Sequence, residues 1–285
     1  MMTRPLVIVL ALGLPGCTDD APVCAEGQVR VQGRCTPYVA GDPVPRGDAW
    51  LPALRTSWQW QLTGAIDSSL DVEMYDIDLF NATDAELAAL SGRIVICYFS
   101  AGSWEAWRDD AVELPDDALG DTMEDWEDER WLDVTSEGVR QVMLDRLDLA
   151  VSRGCDGVEP DNVDGYANRN GVGLNATEQL EYNRFIADAA HERGLSVGLK
   201  NDVDQLEDLL PWFDWALNEE CATYGECDRY RAFTQAGRAV FHVEYIDEWS
   251  NTAAETTAAR VCGVGPDLNT LIKTWDLGPE QLACE

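Results

Sequence analysis

Histidine is nearly absent: the 285-residue chain has two, His191 and His242. Hydrolysis by a histidine-activated serine or cysteine therefore fits poorly, and two histidines this far apart make a weak zinc site. His191, in Ala190-His191-Glu192-Arg193, is expected on an exposed helix face. His242 stands two residues before Glu244 and should point inward beneath it. Positive charge is scarce too, with 20 Lys+Arg against 53 Asp+Glu and a net charge of −33. Nucleic acid and anionic membrane surfaces would be repelled. A cationic partner would be favoured, although acidity also serves simply to keep an exported protein soluble. There is no Gly-rich phosphate loop and no internal repeat. The apolar run Leu6 to Leu14 is too short to cross a bilayer as a mature helix.

That run, preceded by Arg4 and followed by Leu14-Pro15-Gly16-Cys17, reads as an export signal ending in a lipobox, where the cysteine is lipidated and becomes the new N-terminus. An ordinary cleaved signal is the alternative. Thr18 replaces the Asp that would retain a lipoprotein at the inner membrane, so the outer membrane or cell surface is the expected site. Export permits disulfides, and nine cysteines minus Cys17 leave eight. The local pairings 24–35, 221–227 and 262–284 are expected. Cys97 and Cys155 either form a fourth or remain buried thiols.

Residues 1–16 are the expected signal, 17–48 a tether with a small disulfide loop and a Pro/Gly linker, and 49–285 a catalytic domain. Strand patterns fall at Trp58–Leu62, Val72–Asp76, Ile94–Phe99, Gly157–Glu159, Ser196–Lys200, Trp215–Asn218, Val240–Glu244 and Asn269–Lys273. Helix signals separate most of them. Thr83 and Glu86 make a capping box, Ser136 and Gly154 bracket a second helix, and Thr177 and Gly194 a third. Eight strands alternating with helices predict a (β/α)8 TIM barrel with a short N-terminal tether. An open doubly wound sheet is the alternative. The barrel is favoured because most strands end on a polar residue, as a site assembled from many strand ends requires.

In Gly154-Cys155-Asp156-Gly157-Val158-Glu159-Pro160-Asp161-Asn162-Val163-Asp164, a short strand enters and acids cluster. Glu159 and Asp161 are two apart and face the same way on an extended chain. Such a cluster suits catalysis, a surface turn or a Ca2+ loop. Further acids close apolar strands at Glu219-Glu220 and Glu244. Asp76 and Asp78 either join them or pair with Arg and cap a turn. Acids on different strand ends can face each other across a barrel mouth, as glycosidic cleavage needs. The long segment Ala101–Val134 holds Trp104, Trp107, Trp126 and Trp131. It reads as a cleft wall with sugar-stacking rings or as an apolar cluster packing itself.

Taken in order, Trp58-Gln59-Trp60-Gln61-Leu62, Tyr75-Asp76-Ile77-Asp78, Cys97-Tyr98-Phe99-Ser100-Ala101-Gly102, Trp131-Leu132-Asp133, Asp156-Gly157-Val158-Glu159-Pro160-Asp161-Asn162, Gly198-Leu199-Lys200-Asn201, Asn218-Glu219-Glu220-Cys221 and Glu244-Tyr245 resemble glycoside hydrolase family 114, the endo-α-1,4-polygalactosaminidase-like group. The resemblance implies a (β/α)8 fold and hydrolysis of α-1,4-linked galactosamine polymers. It implies an acid pair of Asp161, assigned as nucleophile, and Glu219, assigned as acid/base, with a retaining outcome. Glu220 and Glu244 are rivals for the second role. With the acidic stretch and the lid, these segments supply the expected substrate contacts: Asp76, Tyr98, Trp104, Asp133, Glu159, Asp164, Lys200, Asn201, Glu244 and Tyr245. The expected partner is a cationic amino-sugar polysaccharide, with membrane contact only through the lipid on Cys17. No nucleic acid, cofactor or metal is called for, and the protein is read as a monomer. A non-catalytic carbohydrate-binding lipoprotein and a Ca2+-dependent surface protein are the competing functions.

Overall fold

The computed structural model describes residues 22–265 and 267–284, so the signal and Cys17 lie outside the described residues. Eight strands run parallel, each beside its predecessor: β1 Trp58–Gln61, β2 Met74–Asp78, β3 Ile94–Ser100, β4 Gly157–Asp161, β5 Ser196–Lys200, β6 Trp215–Glu219, β7 Val240–Ile246 and β8 Leu268–Thr274. All eight expected strands are present. They are buried on both faces because helices cover the outside and side chains fill the inside.

Two apolar layers follow from the alternation of each strand. Outward residues such as Tyr75, Ile77, Cys97, Phe99, Val158, Val197 and Leu199 pack beneath the helices. Inward residues Trp58, Trp60, Met74, Ile96, Trp215, Leu217, Phe241 and Val243 fill the interior. Gly198 is required there, since a Cβ at that position would come within 2.2 Å of the Trp215 ring. Among the described residues no backbone ladder joins β1 to β8. Side chains close the seam instead: Trp58 Nε1 donates to Asn269 O at 3.0 Å, and Lys273 Nζ to Gln59 Oε1 at 3.0 Å. The C-terminal strand Leu282–Ala283 pairs antiparallel with the free edge of β8.

The helices are α1 Asp84–Ala89, α2 Glu137–Arg153, α3 Ala176–Glu192, α4 Leu206–Leu209, α5 Cys221–Tyr224, α6 Arg231–Gln235 and α7 Asn251–Val261. The Thr83–Glu86 capping box forms, and Gly154 ends α2 in the left-handed conformation. Asn175, not Thr177, caps α3, in a capping box with Glu178. The Thr177 hydroxyl is engaged elsewhere, accepting from Gly27 N at 2.8 Å and donating to Glu26 at 2.6 Å.

Those bonds come from the N-terminal segment. Its hairpin, Gln28–Val31 and Arg34–Pro37, is stapled by Cys24–Cys35 and docks on α3. Arg30 is buried between Asp133 and Glu178. The chain then follows α3 to its far end, where His191 Nδ1 meets Val44 O and Nε2 meets Asp214, both at 3.0 Å. His191 is therefore buried, contrary to expectation. The other expected disulfides, 221–227 and 262–284, are formed, and Cys97 and Cys155, left open between a bond and two buried thiols, are bonded.

Candidate active site

The C-terminal ends of the strands open into a cavity of about 670 Å3. Its lining includes Tyr98, Asp161, Asp164, Lys200, Asn201, Glu219 and Tyr245. Lys200, fully buried, organises the centre. Its ammonium lies 3.0 Å from Glu159 Oε1, 3.2 Å from Asp161 Oδ1 and 3.3 Å from Glu219 Oε2. Burial alone would discharge this lysine, but the three carboxylates outweigh it and hold its pKa well above the ordinary value. Since one nitrogen touches both, the Asp161 and Glu219 oxygens are no more than about 6.5 Å apart.

Each carboxylate has further donors. Tyr98 donates to Asp161 Oδ2 at 3.1 Å and Asn162 N to Oδ1 at 2.7 Å. Tyr245 donates its hydroxyl to Glu219 Oε1, and Asn201 Nδ2 donates to Oε2 at 3.1 Å. Burial pushes Glu219 up, yet the Lys200 charge and the bonds from Tyr245 and Asn201 prevail and hold it below its usual range. Tyr245 is itself held by Trp275, stacked on it at 4.0 Å between centroids.

Each of these strand ends is followed by a non-glycine residue at positive φ: Asn162 at 58°, Asn201 at 47° and Glu220 at 61°. The sharp turn leaves the preceding side chain aimed at the mouth. Gly102 permits one such turn, because a Cβ there would lie 1.7 Å from Asn162 O. Glu220 also lines the cavity, but it is Glu219 whose carboxylate meets Lys200.

Several expected contacts lie elsewhere. Glu159 shares the inward face with Asp161 but is one layer deeper and fully buried, accepting from Trp60 Nε1 and Lys200 at 3.0 Å each. Burial drives its pKa up to about 7, with Lys200 pulling down and Asp161 pushing up. Asp76 is also fully buried, and no donor meets either oxygen. Burial and the facing Glu159 push its pKa well above the ordinary carboxylate value. Glu244 and His242 point outward, because Phe241, Val243 and Tyr245 take the inward positions of β7. Glu244 clamps α5, accepting from Ala222 N at 2.9 Å and Thr223 Oγ1 at 2.6 Å, with His242 at 3.0 Å. Asp133 pairs with Arg30, and Trp104 donates to Ala111 O within the excursion. None of these five lines the cavity. Asp78 both binds Arg108 and accepts from Phe80 N and Asn81 N.

The excursion after β3 builds a small antiparallel sheet from Ser103–Glu105, Glu129–Leu132 and Leu119–Thr122. Trp107 and Trp126 project from it into the cavity, whereas Trp104 and Trp131 pack the sheet. Trp275 and Tyr224, which the sequence did not single out, line the same cavity. Trp275 follows the last strand directly, and that position was its only sequence signal. Acids dominate the lining, with Lys200 and Arg108 as the cations. Cys221, Cys227 and His242 lie close together, but the two sulfurs are bonded to one another and offer no thiolate to a metal.

A family model described as glycoside-hydrolase family GH114 matches residues 42–285. Aspergillus fumigatus Ega3, solved in complex with galactosamine, is 43% identical with a TM-score of 0.79, over 86% of this chain and 100% of that one. The glycoside hydrolase domain of PelA from Pseudomonas aeruginosa shares the fold at 13% identity and a TM-score of 0.61, over 80% of this chain and 97% of that one. No curated protein matches.

Proposed function

The chain belongs to glycoside-hydrolase family GH114, and from that premise we propose that it hydrolyses α-1,4-linked galactosamine-type polysaccharide, with Asp161 as nucleophile and Glu219 as acid/base. The observation that carries the pair is their shared contact with Lys200 at the cavity mouth. A separation of no more than about 6.5 Å falls at or below the lower edge of the inverting range, which supports retention. Asp161 Oδ attacks the anomeric carbon as the glycosidic C–O bond breaks, and the leaving oxygen takes a proton from Glu219. Water then attacks the glycosyl ester, giving its proton back to Glu219 and releasing Asp161. Glu219 is held ionised in the open cavity. A sugar covering it would expel water and raise its pKa, readying it as an acid.

The acidic lining suits a polymer with free amines, as does the galactosamine complex of Ega3. The test is product analysis on a galactosamine polymer, with NMR reading the anomer released first. The unsubstituted chain should release oligomers of retained configuration, and Asp161→Asn none; full activity in that variant would sink the assignment.

The four disulfides fit an exported protein. The reading includes a lipid on Cys17, which labelled palmitate should enter in the unsubstituted chain and not in Cys17→Ser.

A further inference from the structure

Of the cavity's carboxylates that the proposed mechanism does not use, Glu129 is buried and lacks a cationic partner among the described residues. Glu129 sits opposite Glu105 in the excursion sheet. Arg108 satisfies Glu105 and Asp78 with paired bonds to each. Glu129 has no such partner. Its Oε2 accepts the Ser103 hydroxyl at 2.6 Å, while Oε1 meets no donor among the described residues. The residue is 8% exposed, and it lines the cavity. A carboxylate this buried is costly unless something pairs with it. Burial, with the charges of Glu105 and Asp161, pushes Glu129 up to about 7 against the pull of Ser103 and Arg108.

Two rings accompany it. Trp107 and Trp126 are about half exposed and line the same wall, and Trp126 O accepts the Glu129 backbone N–H at 3.0 Å. An aromatic platform beside a buried acid matches a sugar ring that carries an ammonium group. The position is also tied to the nucleophile. Ser103 Oγ lies 2.7 Å from Ser100 Oγ, which accepts from Asn162 Nδ2 at 2.9 Å, and Asn162 N holds Asp161.

We infer that Glu129 is the recognition point for a sugar ammonium, in a subsite walled by Trp107 and Trp126 on the Asp161 side of the cleft, and that this contact separates free amino sugars from N-acetylated ones. The inference rests on the amino-sugar reading proposed above. An acetamide carries no positive charge, so it leaves the buried Glu129 without a counter-charge.

The test compares cleavage of galactosamine oligomers with that of partly N-acetylated ones of equal length. Glu129→Gln keeps the shape and an acceptor for Ser103 while removing the charge. Its preference for the free amine should fall by about 10- to 100-fold, the worth of one charge-assisted hydrogen bond. Unchanged preference in Glu129→Gln, with the unsubstituted chain active, would overturn this inference alone. An unsubstituted chain that neither cleaves nor binds galactosamine oligomers would overturn the substrate reading with it. Should Glu129→Gln fail to fold, Trp107→Ala with Trp126→Ala alters only half-exposed rings. It should weaken oligomer binding, measured by calorimetry in the Asp161→Asn background, and unaltered binding would overturn the subsite.

Discussion

Glu159 and Lys200 form a 3.0 Å ion pair in which neither side chain reaches solvent. The pair lies directly under the two carboxylates proposed to cut the glycosidic bond, and it fixes how those carboxylates can be charged.

Lys200→Met should remove activity and destabilise the fold by about 3–5 kcal/mol at neutral pH, the usual cost of stripping one partner from a buried charge. The loss should depend on pH. Without the lysine, Glu159 rises further above its present value of about 7. A carboxyl with a raised folded pKa stabilises the fold below its ordinary value and loses that contribution as pH rises toward the folded one. Urea unfolding at pH 5 and pH 8 should show the smaller deficit at pH 5. Equal deficits would mean that Lys200 acts through packing alone.

Tyr245→Phe removes a donor to ionised Glu219, so the Glu219 pKa must rise. If Glu219 is the acid, the alkaline limb of kcat/KM moves to higher pH, with a loss of about tenfold at the optimum. A limb that stays in place would point to another proton donor lining the cavity, Asp164, which burial pushes up to about 6.

The strand pattern was legible because each strand carries its own signal: apolar residues on both faces and a polar residue at the end. Which way a terminal acid points was also legible where its neighbours were clear, as for Asp161. It failed at Glu244, whose apolar flanks did not say which face was inward. His191 was misread because its partners come from Val44 and Asp214, far away in sequence or across a strand. Thr177 was misread as a cap because Glu26 and Gly27 compete for its hydroxyl. In the segment read as a tether with a disulfide loop and a Pro/Gly linker, the described residues dock on α3, which composition could not report because the buried Arg30 pairing spans distant parts of the chain.

Cys97–Cys155 joins β3 to the residue leading into β4, across 58 positions of chain. In the chain-entropy description, a loop of that size contributes about 4 kcal/mol. The double variant Cys97→Ser, Cys155→Ser should lose most of that in denaturant unfolding, while the site geometry and kcat are retained. A drop in kcat at full folding would show that the bond also sets the placement of Asp161.

Ionic strength offers a simple probe of the acidic mouth. Raising salt from about 0.01 M to 1 M shortens the screening length from roughly 30 Å to 3 Å. For a cationic polymer, kcat/KM should fall severalfold with kcat little changed. A salt-independent kcat/KM would remove steering as the role of the acids.

The left-handed residues behind Asp161, Lys200 and Glu219 have a consequence for how this enzyme can be improved. Glycine at 220 would relieve roughly 1 kcal/mol of backbone strain net of its own entropy, so selection for heat tolerance alone should find it readily. The same change frees the hinge that aims Glu219. Robustness and turnover are thus opposed at a single codon, and a variant that gains melting temperature there should cut more slowly.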